Sequence, residues 1–261
     1  MTREATARAV AFFRWSFWPL DRPTGVERTV MNLEHASVLG VPGELIDDPD
    51  ARAAVSRRVK QAVQRGERLI IVAGTPAAAV PAVTTAPDDL IALADEQAQR
   101  ATRQAATLRG DLAWVGLNVV LLDPADVGPT ARGHALSAEP RVLKVPAIAE
   151  LAGDAPVIVL PGGVGASETG DAVSLGDGGD VLSAVFVADR LALPLTLLRS
   201  DDADGPPPRR AALLARDRGV EVDHASLSER ETLTNAGGSA VFRALTALEL
   251  AKDEQQIGLS A

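Results

Sequence analysis

The sequence of 261 residues contains no cysteine. Disulfide bonds, thiolate metal sites and cysteine nucleophiles are therefore excluded. Histidine is nearly as scarce, and the three that occur are far apart: His35, His134 and His224. Such scattered histidines argue against a metal site built on imidazole ligands.

Lysine is also rare, because the basic residues are almost all arginine. Only Lys60, Lys144 and Lys252 are available to an activity that needs a lysine. Acidic residues outnumber basic ones by 35 to 26, and the net charge is −9 at pH 7. An acidic chain without a basic run lacks the broad positive surface that binds nucleic acids, so we expect no nucleic-acid partner.

Long apolar runs are absent. The apolar patch near the amino terminus is shorter than the ~20 residues that a membrane-spanning helix needs, and no small-residue cleavage site follows it. We therefore expect a cytoplasmic protein without a membrane partner. Hydrophobic residues make up 46% of the chain, which is enough for a large core. We predict one domain over residues 1–261.

What is present is an alternation of short apolar runs with segments of helical spacing. This alternation predicts an α/β protein, a three-layer α/β/α sandwich with a mainly parallel central sheet. An extended or hairpin region is expected at residues 128–145, and a loop at 76–87. The predicted strands are residues 10–18, 69–73, 117–122, 156–160, 195–198 and 220–222. The predicted helices are residues 24–39, 47–66 with a cap at 47–50, 88–109, 147–151, 181–193, 211–218 and 237–252.

The stretch at residues 155–195 has the layout of a ligand site. A buried strand leads into Gly162, Gly163 and Gly165, and a second glycine turn precedes an apolar helix. Asp180 stands where a helix N-cap is expected. Glycines at a strand end let the backbone approach a ligand closely, and a helix N-terminus offers N–H donors.

Three loops of this kind follow strands. They are Gly162-Gly163-Val164-Gly165, Leu175-Gly176-Asp177-Gly178-Gly179-Asp180 and Ser200-Asp201-Asp202-Ala203-Asp204-Gly205. In an open α/β sheet ligands bind at the carboxyl ends of strands, so we expect these loops to meet there. The alternative is structural: Asp180 is a cap only, Asp177 occupies a turn, and the acidic loop is solvated.

The order of these loops resembles the amino acid kinase family, and aspartokinase in particular. The family has a GFxG loop, then LGRGGSD before an apolar helix, then a strand that ends in TDVDG. The resemblance covers residues 90–205. It implies transfer of a phosphoryl group from ATP, with Mg²⁺, to the carboxylate of a small amino acid, and it leaves a homo-oligomer possible.

The resemblance also implies roles for single residues. It gives catalytic roles to Asp180 and Arg14. It gives substrate-binding roles to Glu96, Asp177, Gly178 and Gly179. It gives nucleotide-binding roles to Gly162, Gly163, Asp202, Asp204 and Gly205.

This sequence departs from the family pattern in several places. The family motif KFGGTS matches the aromatic segment at residues 13–18, where Arg14 is the basic residue. Asp177 replaces an arginine and Val181 replaces an aspartate, while prolines follow Gly205. An acid in place of the arginine repels a substrate carboxylate and favours a cationic group.

Two functions follow from these departures. The first is an active small-molecule kinase with a substrate other than aspartate. The second is a catalytically inactive binding or assembly subunit that keeps the kinase fold. A Rossmann-like nucleotide binder is disfavoured, because no GxGxxG follows the first predicted strand.

Overall fold

The computed structural model describes residues 35–74, 87–200 and 207–227. The predicted strand at 10–18, the first part of the predicted helix at 24–39, the loop residues 76–86 and the predicted helix at 237–252 lie outside these ranges. The division of residues 1–261 into one domain stays a prediction. Within the described ranges the chain is α/β, as the sequence predicts.

The central sheet has six strands, and all their pairings are parallel. In chain order they are β1 (Ala36–Val41), β2 (Arg68–Ala73), β3 (Val119–Leu121), β6 (Val157–Pro161), β9 (Leu195–Arg199) and β10 (Val222–Ser226). Their order across the sheet is β10-β9-β1-β2-β6-β3. Every residue of β6 is buried, as expected for a parallel strand that is covered on both faces.

Four short strands form a second sheet. Its strands are β4 (Thr130–Arg132), β5 (Glu139–Val142), β7 (Val164–Ala166) and β8 (Ala172–Ser174), in the order β5-β4-β7-β8. The antiparallel pair β4–β5 confirms the hairpin expected at residues 128–145. The β7–β8 hairpin was not predicted, because its strands are only three residues long.

Helices cover both faces of the central sheet. Neighbouring residues of β2 illustrate this, since Ile70 belongs to the core on one face and Ile71 to the core on the other. The first core includes Phe186 of α6, and the second includes Leu108 of α3. The helices are α1 (Gly43–Asp47), α2 (Pro49–Gln64), α3 (Pro87–Trp114), α4 (Pro124–Val127), α5 (Val145–Ala152), α6 (Gly179–Leu191) and α7 (Arg209–Arg218).

The cap predicted at residues 47–50 is confirmed at the start of α2, where Asp48 is the N-cap. The Asp48 side chain accepts hydrogen bonds from the backbone N–H groups of Asp50 at 2.8 Å and Ala51 at 3.3 Å. These bonds satisfy two of the donors that a helix N-terminus leaves free.

The predicted helix at residues 24–39 is wrong over its last four residues, which belong to strand β1. The apolar residues of this segment fit a helical spacing, but β1 lies between β2 and β9 and pairs with both. Val38 and Leu39 are buried on opposite faces of the sheet. The predicted strand at 220–222 lies further along the chain, as β10 at Val222–Ser226.

Candidate functional site

A cavity opens at the carboxyl ends of β1, β9 and β10, beside the first turn of α6, and we refer to it as the edge cavity. Its volume is about 270 Å³. Its polar and charged lining comes from Glu44, Asp180, Arg199 and His224. Its walls are otherwise largely apolar, with Val41, Pro42, Val181, Leu197, Pro207 and Pro208 among them. This is the edge at which parallel α/β sheets bind ligands.

Asp180 is the second residue of α6 and not its N-cap, so the predicted capping role is wrong. The helix begins at Gly179, and the cap position belongs to Gly178, which has a left-handed backbone. The Asp180 carboxylate instead accepts a hydrogen bond of 2.8 Å from the N–H of Val181. It also lies against Gly74 at the end of β2. A Cβ atom on Gly74 would stand 2.7 Å from Asp180 Oδ2, so the close approach depends on glycine.

The environment of Asp180 disfavours its ionised form. Burial raises the pKa of the carboxyl group, and the charges of Glu44 and Asp177 raise it further. Hydrogen bonds from the backbone N–H groups of Val181 and Asp180 offset part of this increase. A partly desolvated carboxyl group beside a cavity is a recognised property of functional sites.

Arg199 and His224 form the other charged part of the edge cavity. Arg199 ends β9, and His224 lies on the neighbouring strand β10 beside Leu197. Arg199 Nη2 is 3.4 Å from His224 Nε2. Burial and then the charge of Arg199 lower the pKa of His224 to about 4. The imidazole is therefore neutral at pH 7.

Backbone N–H groups of the glycine-rich segment already donate within the protein. The Gly162 N–H donates to the Ala73 carbonyl oxygen at 2.7 Å. The Gly163 N–H donates to Ser183 Oγ at 3.0 Å, and the Gly179 N–H donates to the Gly176 carbonyl oxygen at 2.9 Å. Of these three bonds, the first joins the ends of β6 and β2, the second joins the segment after β6 to α6, and the third closes the turn before α6. The donor role toward phosphates that the sequence suggested stays a prediction.

Gly178 and its neighbours pack against the start of α7. A Cβ atom on Gly178 would stand 2.1 Å from Pro208 Cβ. Arg210 donates from Nη1 to the Leu175 carbonyl oxygen and from Nη2 to the Ala138 carbonyl oxygen, the latter at 2.9 Å. Contacts from Pro208 and Arg210 at the start of α7 thus hold this glycine turn in place.

The structure brings Asp180 to the edge cavity and leaves other predicted residues away from it. Glu96 is exposed on α3, where its neighbour Gln97 is buried instead. Asp177 is exposed as well. Neither acid is among the described residues that line the cavity. Four predicted residues lie outside the described ranges: Arg14, Asp202, Asp204 and Gly205.

Four residues of the site were missed by sequence reasoning: Gly74, Glu44, Arg199 and His224. Glu44 follows a strand that was predicted as helix, so its position after a strand was hidden. Arg199 ends the apolar run of β9, and an arginine at a strand end on the ligand edge is a signal that was available. His224 carries no local motif.

Among the described residues, the lysines and the acidic side chains offer little to a metal or a phosphate at this site. Lys60 Nζ donates to the Val115 carbonyl oxygen at 2.9 Å, and Lys144 Nζ donates to the Ala125 carbonyl oxygen at 3.3 Å. Neither lysine is among the described lining residues. Within the described ranges, no three His, Asp or Glu side chains are grouped so that they would hold a metal ion. Glu44 and Asp180 still offer carboxylate oxygens, the ligands that Mg²⁺ accepts.

A membrane-spanning helix is not found in residues 35–74, 87–200 and 207–227, since none of their helices combines the required length and apolarity.

Comparison with known proteins identifies the fold. No family model and no curated protein sequence matches the chain. Among solved structures, aspartokinase III of E. coli in complex with aspartate and ADP superposes with a TM-score of 0.51 at 14% identity, over 75% of this chain and 62% of that one. The same enzyme with lysine and aspartate gives a TM-score of 0.52 at 15% identity, over 75% and 63%.

The protein smu.665 of Streptococcus mutans gives a TM-score of 0.54 at 16% identity, over 73% of this chain and 94% of that one. The chain thus spans less than two thirds of aspartokinase III. Identities this low show the fold alone, and on that ground the chain has the amino acid kinase fold.

Proposed function

We propose that the chain is a small-molecule kinase that transfers a phosphoryl group from ATP to a small amino acid or a related metabolite. The observation that carries this proposal is the edge cavity, with Asp180 placed in it by the first turn of α6. Asp180 is one of the two residues to which the family resemblance gives a catalytic role, and the other, Arg14, lies outside the described ranges. The cavity also lies at the sheet edge where α/β proteins bind substrates.

The charges around the edge cavity support phosphoryl transfer. This reaction needs positioning and charge compensation more than covalent chemistry. Asp180, whose pKa is raised by burial, would orient the acceptor and hold a proton near the reacting group. Arg199 would offset negative charge on the phosphoryl group. Mg²⁺, which the resemblance implies together with ATP, would supply further charge compensation at the phosphates when bound.

The size of the cavity supports the acceptor as its ligand. Its volume of about 270 Å³ lies just below the range of about 300–1,000 Å³ that drug-sized ligands occupy. It accommodates one small metabolite and not ATP in addition. The wall residues Pro207 and Pro208 follow the loop to which the resemblance assigns the nucleotide. The nucleotide-binding roles of Asp202, Asp204 and Gly205, which lie outside the described residues, remain part of this proposal.

A direct test is to measure ADP formation by the full chain with Mg-ATP across a panel of amino acids and amines. We expect turnover with at least one acceptor and a loss of about 100-fold or more in the Asp180→Asn variant, as for removal of a general acid or base. Asp126→Asn, an exposed acid on α4, is the control and keeps full activity. Failure of every acceptor, together with failure to bind ATP, refutes the proposal.

A second candidate function is a non-catalytic binding or assembly subunit. It is favoured by the three glycine N–H groups that donate within the protein and by the two described lysines that donate to carbonyl oxygens elsewhere. Calorimetric titration with Mg-ATP separates the two functions. A kinase binds ATP, whereas the second candidate requires that no ATP binding be detected while another ligand raises the melting temperature.

A further inference from the structure

Two carboxylates from different elements face the same cavity. Glu44 lies in α1, directly after β1, and is exposed, while Asp180 lies in α6 and is partly buried. The charge of Glu44 raises the pKa of Asp180, so the two groups are near enough to repel each other when both are ionised. A cation placed between them would relieve this repulsion.

The positive charge in the cavity is engaged elsewhere. Arg199 contacts His224 at 3.4 Å, where β9 and β10 end. Arg199 also has a further interaction within the protein. His224 is neutral at pH 7 because its pKa is about 4. The charges that act on Asp180 come from Glu44 and Asp177, so the Glu44–Asp180 side of the cavity is its acidic side.

The remaining lining selects the kind of cation. Apart from its four polar or charged side chains the cavity lining is largely apolar, with contributions from Val41, Pro42, Val181, Leu197 and Pro207. A divalent metal takes about six or more oxygen ligands in all, and the side chains of these apolar residues supply none. An organic cation with an apolar body satisfies both parts of the lining. A protonated amine also donates charge-assisted hydrogen bonds to carboxylates.

We infer that the edge cavity binds a small molecule that carries a protonated primary amine on an apolar body, with the amine between Glu44 and Asp180. This inference rests on the proposed function in taking the cavity as the acceptor site. It moves the preference for a cationic substrate away from Asp177, which is exposed and outside the described lining.

The test uses three probes of the same size and different charge: 1-butylamine, butyrate and 1-butanol, at matched ionic strength and pH 8. Thermal unfolding and calorimetric titration of the full chain are the readouts. We expect butylamine to raise the melting temperature and the other two probes to leave it unchanged, because only the amine compensates the two acids. Stabilisation by butyrate equal to or greater than that by butylamine would overturn the inference.

Variants locate the binding. Glu44→Gln and Asp180→Asn should each weaken butylamine binding about tenfold, the effect of losing one charge-assisted bond of ~1.4 kcal/mol. Glu150→Gln and Asp126→Asn, which change exposed acids on α5 and α4, are matched controls and bind as the parent does. Butylamine binding that Glu44→Gln and Asp180→Asn leave intact would place the amine elsewhere and overturn the inference.

The pH dependence gives a second readout. Lowering the pH protonates Asp180, whose pKa is raised, and should weaken butylamine binding before ordinary carboxyl groups titrate. Binding that stays constant through this range contradicts a role for Asp180.

The outcome also separates this inference from the kinase proposal. Butylamine binding without any ATP binding upholds the amine site and refutes the kinase. ATP turnover with acceptors that lack an amine, together with no butylamine binding, upholds the kinase and refutes the amine site.

Discussion

The glycine turn at residues 176–179 and the edge cavity lie side by side, yet they differ in packing. In the turn, a Cβ atom on Gly178 would stand 2.1 Å from Pro208 Cβ, and the Gly179 N–H donates to Gly176. The edge cavity has open space of about 270 Å³ next to it. The glycine-rich turn is thus closely packed, whereas the neighbouring edge cavity is open.

This difference shows what the glycines do here. Glycine permits close approach of any group to the backbone, and the approaching group in this turn is the protein itself. At the edge cavity glycine has the same role in one place, where Gly74 admits the side chain of Asp180. Glycine therefore positions the acid, while the binding chemistry resides in side chains.

The largest expected effect is that of Gly178→Ala. Its backbone angle φ is +61°, and the added Cβ would overlap the ring of Pro208. Gly219→Ala is the matched control, because its φ is +65° and no atom lies within 4 Å of its added Cβ. We expect the control to lose about 1–2 kcal/mol of unfolding free energy from backbone strain, and Gly178→Ala to lose a further ~1–3 kcal/mol from overpacking. Urea denaturation measures both, and equal losses would show that the turn is not tightly packed.

The next effect concerns the bond that fixes α6 to the end of β6. Ser183 is buried, and its Oγ accepts from the Gly163 N–H at 3.0 Å. Ser183→Ala leaves this N–H without its acceptor and should lower the unfolding free energy by about 1–3 kcal/mol. Chemical denaturation tests this, with Ser137→Ala at an exposed position between β4 and β5 for comparison. A loss no larger than that of Ser137→Ala contradicts the role of the bond.

On the cavity side, His224 should make stability depend on pH. Its pKa of about 4 in the folded protein is below the ordinary value of ~6.5, so the unfolded chain takes up the proton first. Stability should therefore fall as the pH is lowered from 6.5 toward 4, by roughly 1–2 kcal/mol after allowance for solvent screening. His224→Gln should show a smaller fall. Identical pH profiles of unfolding free energy in parent and variant would exclude this contribution.

The smallest effect is expected for Asp180→Asn on stability. The pKa of Asp180 is raised by burial, so its ionised form destabilises the fold. Stability that is complete at low pH is lost as the pH rises through the pKa of the folded state. The variant should therefore be slightly more stable than the parent at pH 7, and this difference should vanish at low pH. A variant that is less stable at pH 7 would show that the carboxylate is favourably paired.

Much of the fold could be predicted from local patterns in the sequence. The buried run of β6, the cap at Asp48 and the polar, Ala- and Gln-rich composition of α3 each follow from side chains near in sequence. Strand β1 could not be read in this way, because Val38 and Leu39 fit a helix equally well. Pairing with β2 and β9 decides their conformation, and those partners are distant in the chain.

The candidate site was predicted only in part for the same reason. Asp180 follows a glycine turn before an apolar helix, which is a local signal, and the structure brings it to the edge cavity. Glu44, Arg199 and His224 belong to three other elements and carry no shared motif. Their convergence depends on the order of strands across the sheet.

The sequence by itself determined the α/β class and most of the elements, since hydrophobic periodicity and turn residues act over short distances. The choice of Asp180 came from the family resemblance that the same stretch of sequence carries. Only the tertiary structure decided which loops are closely packed and which border an open cavity. The packing of α6 and α7 fills the glycine turn, and the adjacency of β1, β9 and β10 leaves the cavity beside it. The reason is that space between elements depends on all of their side chains at once, which no single stretch of sequence specifies.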